Sequence, residues 1–291
     1  MKSYKQFITE SKNSIASICK EYGIYDYTIN EDGSIDVDGS VDLENFNLHK
    51  LSLKFRNITG DFNCHENNLT TLEGCPESVG GNFDCSNNQL ISLEGSPRSV
   101  GGYFDCSNNQ LFTLEGSPKI VVGSFDCKGN ELTTLRGSPE SVTGNFYCYY
   151  NQLTTLVGSP KSVGGDFHCY YNKLTTLKGG PESVGGYFDC GDNELTTLVG
   201  STESVGGYFD CDNNKITSFE GFPEYINLFY CLNNPIFEIY SLFYTPKCIR
   251  WINEFDVIQG NKVILDRLEE VFHQLGMEIP ENIKFKHYEI V

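Results

Sequence analysis

Apolar positions along this chain recur with one long, unbroken step. Phe62, Phe83, Phe104, Phe125, Phe146, Phe167, Phe188 and Phe209 lie 21 residues apart, as do Cys64, Cys85, Cys106, Cys127, Cys148, Cys169, Cys190 and Cys211. An asparagine follows each cysteine three positions on, from Asn67 to Asn214. A fixed period of about 20 to 50 residues marks a solenoid. Units this short cannot bury an apolar face alone, so neighbouring coils must stack and share one core.

The copy from Gly102 to Gly123 shows how one coil is built. Phe104 and Cys106 alternate with Tyr103 and Asp105, the period-two pattern of a short half-buried strand with phenylalanine and cysteine inward. Asn109 ends the strand, where its amide is expected to bond turn backbone and the asparagine of the next coil. Leu111 and Leu114 turn inward, and a Gly116-Ser117-Pro118 turn and Val121 complete the circuit. Upstream, Val41, Leu43, Phe46, Leu48, Leu51 and Ile58 sit 21 residues before their counterparts and read as a degenerate first coil. Downstream, Cys231, Asn234 and Ile236 follow at a step of 20.

Both flanks leave the period. Residues 3 to 21 read as a capping helix, and the segment after it has two Asp-Gly turn signals between alternating strands, a hairpin signature. Its glycine and glutamate do not fall at EF-hand spacing. The last 55 residues carry apolar positions at helical spacing and read as a helical cap. The division is thus residues 1–38, helix and hairpin cap; 39–236, solenoid; 237–291, helical cap.

The spacing apolar-x-apolar-x-x-Asn-x-Leu-x-x-Leu resembles the leucine-rich repeat, with Phe and Cys at two leucine positions. The fold class is therefore an α/β solenoid of the leucine-rich-repeat kind, with a parallel sheet on one face. The whole arrangement of hairpin, repeats and a tail containing VILDRL also resembles leucine-rich-repeat proteins of large tailed bacteriophages.

Twelve cysteines would suggest disulfides in a short secreted chain, but here most follow the repeat. Equivalent strands lie about 4.8 Å apart, whereas disulfide Cβ atoms lie about 3.8 Å apart. A ladder of free, buried thiols is expected, and no CxxC spacing gathers metal ligands. The formal charge is −18 with a pI near 4.6, which opposes a basic nucleic-acid footprint and favours a protein partner with a basic surface. The N-terminus lacks a secretory apolar core and no segment has a membrane-spanning apolar run, so an intracellular protein without membrane contact is expected.

Function is sought where the repeats disagree. The row between Phe and Cys reads Asn63, Asp84, Asp105, Asp126, Tyr147, His168, Asp189, Asp210, and the two rows after Cys read His65, Ser86, Ser107, Lys128, Tyr149, Tyr170, Gly191, Asp212 and Glu66, Asn87, Asn108, Gly129, Tyr150, Tyr171, Asp192, Asn213. Two consecutive coils exchange small polar residues for aromatics. Tyr147, Tyr149, Tyr150, His168, Tyr170 and Tyr171 are expected to form a patch on a concave sheet, with Tyr103, Tyr187 and Tyr208 beside it. Asp126, Asp189, Asp192 and Asp210 would flank it as an acidic rim. Tyrosine supplies rigid contact area with a polar tip, and an acidic rim steers a basic partner. Stacked tyrosines that only stabilise neighbouring strands are the competing reading.

No nucleophile, base and oxyanion donor share a recognisable spacing, so a non-enzymatic binding module without cofactor or metal is expected. Met1, Lys2, Tyr4, Phe7, Ile8 and Glu10 resemble the capsid-targeting peptide of internal head proteins in T-even-type bacteriophages. That resemblance implies cleavage between Glu10 and Ser11, packaging in the virion, and delivery to the host cytoplasm, where a host protein would be bound. The alternatives are an acidic mimic of DNA that occupies a nuclease or restriction enzyme, and a structural virion component.

Overall fold

The computed structural model describes residues 4–291, with side chains from residue 12 onward. The chain divides into two compact units, one comprising Met1–Asn151 with Gly158–Pro160, the other Gln152–Val157 with Lys161–Val291. The repeats wind into about nine coils of some 21 residues, and the helices lie outside them.

In the first unit each coil contributes two short strands. The Phe strands, such as Phe104–Asp105, pair in parallel and in register from Val41–Asp42 to Phe146–Tyr147. A second parallel sheet runs through the Ser-Val positions, from Phe55–Ile58 through Ser99–Val100 to Ser141–Val142. The sequence reading placed an apolar valine there but no second sheet. The reason is length: two residues of strand cannot display an alternation. A helix, Tyr4–Glu21, precedes an antiparallel hairpin, Tyr27–Ile29 with Ile35–Val37, and the hairpin continues in parallel into Phe55–Ile58.

The second unit repeats the plan. Phe167–His168, Phe188–Asp189, Tyr208–Asp210 and Leu228–Tyr230 form one parallel sheet, and Ser162–Val163, Ser183–Val184 and Ser204–Val205 the other. Three helices follow, Phe237–Tyr240, Lys247–Glu254 and Leu265–Leu275, with a three-stranded sheet of Ile258–Gln259, Lys262–Val263 and Glu289–Ile290 that the sequence did not announce. This tail is seated on the last coils: Tyr288 Oη donates to Thr217 O at 2.8 Å and Asn253 Nδ2 to Phe219 O at 3.2 Å.

The core is a set of ladders. In the first unit Phe62, Phe83, Phe104, Phe125 and Phe146 stack at 5.2–5.6 Å between ring centroids, all fully buried. The repeat cysteines beside them, Cys64, Cys85, Cys106, Cys127 and Cys148, are buried too, and all twelve cysteines of the chain are free thiols. Several lean on the next coil, as where Cys106 Sγ donates to Asp126 O at 3.4 Å. Burial pushes these thiols well above their ordinary pKa, so they pack as small apolar groups.

The ladder asparagines behave differently from the expectation that they would bond one another. Asn109 Nδ2 donates to Cys106 O and Ser107 O in its own turn and to Cys85 O of the preceding coil, at 3.1–3.2 Å. Its Oδ1 accepts from the Leu90 amide at 2.9 Å. The partner across the coils is backbone because the turn leaves carbonyls and amides that no strand pairs. Close approach also explains Gly101, where an added Cβ would fall on the Gly80 carbonyl oxygen.

Candidate functional site

Each strand ends in a turn with a regular construction. The residue after Phe accepts, through its side chain, from the amide two positions on: Asp84 Oδ1 from Ser86 at 2.9 Å, Asp105 from Ser107 at 2.8 Å, Asp189 from Gly191 at 3.0 Å, Asp210 from Asp212 at 2.9 Å. These are Asx turns, which an aspartate or asparagine side chain makes by reaching its own downstream backbone. The aspartate row therefore has a folding role, which the sequence reading did not assign to it. Asp126 is further matched from within, since Lys128 donates to it through its amide at 3.0 Å and through Nζ at 2.6 Å.

Two positions beyond that amide's predecessor the backbone turns left-handed. Glu66, Asn87, Asn108, Gly129 and Tyr150 in the first unit, and Tyr171, Asp192 and Asn213 in the second, all have φ between 49° and 64°. Asparagine, aspartate and glycine tolerate this region, and bulky side chains avoid it. That row of Asn, Gly and Asp was the signal in the sequence for a left-handed residue. Glu66, Tyr150 and Tyr171 break it, and the two tyrosines are 55% and 48% exposed.

In the first unit Tyr149 is the centre of an aromatic cluster. Its ring meets Tyr147 at 6.2 Å and Tyr150 at 5.4 Å, both edge to face, and Lys128 Nζ lies 5.9 Å from its centroid. Tyr147 Oη accepts from Asn145 Nδ2 at 2.5 Å. In the second unit His168, Tyr170 and Tyr171 make the corresponding cluster, with centroid separations of 5.9 Å and 5.6 Å. His168 lies between two carboxylates, Nε2 3.8 Å from Asp166 and Nδ1 3.7 Å from Asp189. Tyr187 stacks flat on Tyr208 at 3.9 Å, and Tyr208 meets Tyr230 edge on. Tyr103 belongs to the first unit and is exposed.

The acidic groups differ in their surroundings. Burial, reinforced by the charge of Asp126, raises Asp105 to about 6 against the pull of its Ser107 hydrogen bonds. Burial likewise raises Asp210 to about 6, with Asp212 and Asp189 adding to it. Asp192 takes the left-handed position, with its amide donating to Asp212 O at 2.9 Å.

Of the remaining sequence expectations, Met1 and Lys2 lie outside the described residues, and Glu10 and Ser11 lie within helical backbone. No metal-ligand spacing is legible in the sequence. The structure gathers Glu44, His65 and Glu66, whose ligand atoms all lie within 4.8 Å of one another. Glu44 precedes His65 by one period of 21 residues, so the two occupy equivalent turns of adjacent coils.

These features define a solenoid of parallel two-stranded coils that displays aromatic and acidic side chains from its turns. Among solved structures, YopM from Yersinia enterocolitica WA-314 is similar at 17% identity, covering 67% of this chain, with a TM-score of 0.32. This chain spans 64% of the length of that one. No protein-family model and no curated protein matches the chain.

Proposed function

We propose that this solenoid is a non-enzymatic protein-binding module whose tyrosine clusters, Tyr147/Tyr149/Tyr150 and His168/Tyr170/Tyr171, contact the partner. The observation that carries this reading is the left-handed backbone of Tyr150 and Tyr171. A non-glycine residue in that region costs about 1–2 kcal/mol, and Asn87, Asn108, Gly129, Asp192 and Asn213 in the equivalent turns avoid most of the cost. Half-exposed tyrosines there oppose the fold's preference, and strain of this kind concentrates at functional positions. Tyrosine is also among the residues that dominate binding energy at interfaces.

The charge of −18 selects a partner with a basic surface, with Asp166 and Asp189 flanking His168 of the second cluster and Asp192 and Asp210 in the coils that follow. The N-terminal resemblance to capsid-targeting peptides supports a host bacterial protein as that partner, met in the host cytoplasm after delivery from a virion. Mimicry of DNA is less well supported, because the aspartates that would stand for phosphates each commit an oxygen to their own turn.

The variant Tyr150→Asn/Tyr171→Asn restores the residue type of the other turns. Its melting temperature should rise by a few degrees, about 1–2 kcal/mol of relieved strain in all, while partner capture from bacterial lysate and binding to the purified partner fall at least tenfold. Unchanged affinity would remove the tyrosines from the interface. A lower melting temperature would assign them to strand stabilisation. Loss of affinity that scales with salt and with aspartate rather than tyrosine substitution would favour mimicry.

A further inference from the structure

We propose that Glu44, His65 and Glu66 form a binding site for one divalent cation of the zinc class. Glu44 and His65 occupy equivalent turns of adjacent coils, and Glu66 is the left-handed residue of the second turn. The decisive feature is the orientation of the imidazole. Nδ1 lies 2.6 Å from Asn63 Oδ1 and 3.7 Å from Asp84 Oδ2. The Asn63 amide is itself oriented, because its Nδ2 donates to Asp42 Oδ1 at 3.0 Å while its Oδ1 also accepts from the His65 amide at 3.1 Å. Nδ1 thus faces acceptors only, so the ring is held from outside the cluster by a hydrogen bond donated from Nδ1.

The other ring nitrogen, Nε2, faces Glu44 Oε1, 3.3 Å away. Two such atoms at that distance share a cation, either a ring proton or a metal ion, and the geometry around the site points to the metal. Fixing one imidazole nitrogen by an outer hydrogen bond while the other meets the ion is the usual support for a metal-bound histidine. Tetrahedral zinc with bonds of about 2.0–2.1 Å holds two ligand atoms about 3.3–3.4 Å apart, which matches the Nε2 to Oε1 separation.

Glu66 completes the set. Its carboxylate accepts from Asn45 Nδ2 at 3.3 Å, and its φ of 51° places a glutamate where Asn87, Asn108 and Gly129 serve the equivalent turns. One imidazole and two carboxylates favour zinc over magnesium or calcium, which take six or more oxygens. Three protein ligands leave the fourth position of a tetrahedron for water or for a side chain of a partner.

The test is titration of zinc chloride into the untagged full chain, followed by calorimetry and by competition with a chromophoric chelator. One equivalent should bind, and His65→Ser and Glu44→Gln should each weaken it at least tenfold. His65→Ser copies Ser86 and Ser107 of the next two coils, so the turn keeps its backbone. Glu66→Asn copies Asn87 and Asn108 and should show opposite effects: weaker zinc binding and a higher melting temperature without zinc. On the unaltered protein, zinc should move the His65 imidazole resonances, a readout independent of any variant's folding. Equal zinc binding by the parent and His65→Ser overturns the proposal. So does a His65 ring that zinc leaves unmoved and that is protonated against Glu44, which makes the shared cation a proton.

Discussion

At the scale of the residue, Asp105 shows how one side chain serves the turn and opposes the fold at once. Its Oδ1 accepts from the Ser107 amide, yet burial and the neighbouring charge of Asp126 raise its carboxyl to about 6. An unfolded aspartate titrates near 3.9. Below about 4 both states are protonated and the charge costs nothing. Between about 4 and 6 the unfolded chain releases a proton that the folded chain keeps, so stability falls as pH rises, and above about 6 the loss is complete. Asp105→Asn keeps the acceptor and removes the charge, as Asn63 does in its own coil. Thermal unfolding should therefore show the variant more stable than the parent at pH 8, by about 1–3 kcal/mol, with the difference gone by pH 4. A variant that is less stable at pH 8 would mean the carboxylate's hydrogen bonds outweigh its desolvation. Tyr150 and Tyr171 belong to the same scale: the sequence showed that they depart from a row of residue types that tolerate left-handed backbone, but that these two tyrosines are themselves left-handed was decided only by the fold.

At the scale of the element, a coil is held to its neighbour by Phe stacking and by its asparagine. Asn109 joins two turns through three donated bonds and one accepted, and it is buried. Asn109→Ala removes all four and orphans the buried Leu90 amide, while the carbonyls of Cys85, Cys106 and Ser107 keep their donors from Asn88, Asn130 and Asn87, with each lost bond worth about 1 kcal/mol net and an orphaned buried group more. A loss of about 2–4 kcal/mol is expected, read as a drop in melting temperature and as faster amide exchange confined to the turns at Leu90 and Ser107. Exchange that accelerates uniformly would indicate global destabilisation instead. The sequence made the ladder visible, since eight asparagines hold one step. It did not show where the bonds go, because a 21-residue period says which residues are neighbours and not which atoms face one another. The second sheet escaped notice for a related reason: Ser99–Val100 and its equivalents offer a single inward residue per coil.

At the scale of the whole molecule, both units meet the problem common to solenoids, an end whose apolar interior faces outward. In the second unit the tail answers it. Ile239, Phe243, Cys248, Ile252 and Phe272 are buried, Glu238 receives the amides of Lys286 and His287 and the His287 ring, and Tyr288 reaches Thr217. Deleting residues 237–291 should uncover Phe219, Phe229 and Ile236 and leave a protein that aggregates and binds a hydrophobic dye, checked by light scattering and dye fluorescence. A truncated chain that stays monomeric with an unchanged melting temperature would free the tail for a separate role. Whether the tail is covered by apolar contact was partly legible, since its helices carried the spacing. Its small sheet was not, because Glu289–Ile290 pairs with a strand 27 residues earlier and lies in no pattern of its own.

The sequence by itself determined the coil, its length and its core, because burial recurs once per turn of the solenoid and every recurrence constrains the same residue types. It also determined which turns depart from the rest. Only the tertiary structure decided what those departures mean. The left-handed φ of Tyr150 and Tyr171, the Asx turns that occupy the aspartates, and the meeting of Glu44 with His65 and Glu66 depend on backbone handedness and on side-chain direction between coils. Neither leaves a periodic trace, so each became visible only when neighbouring coils were in place.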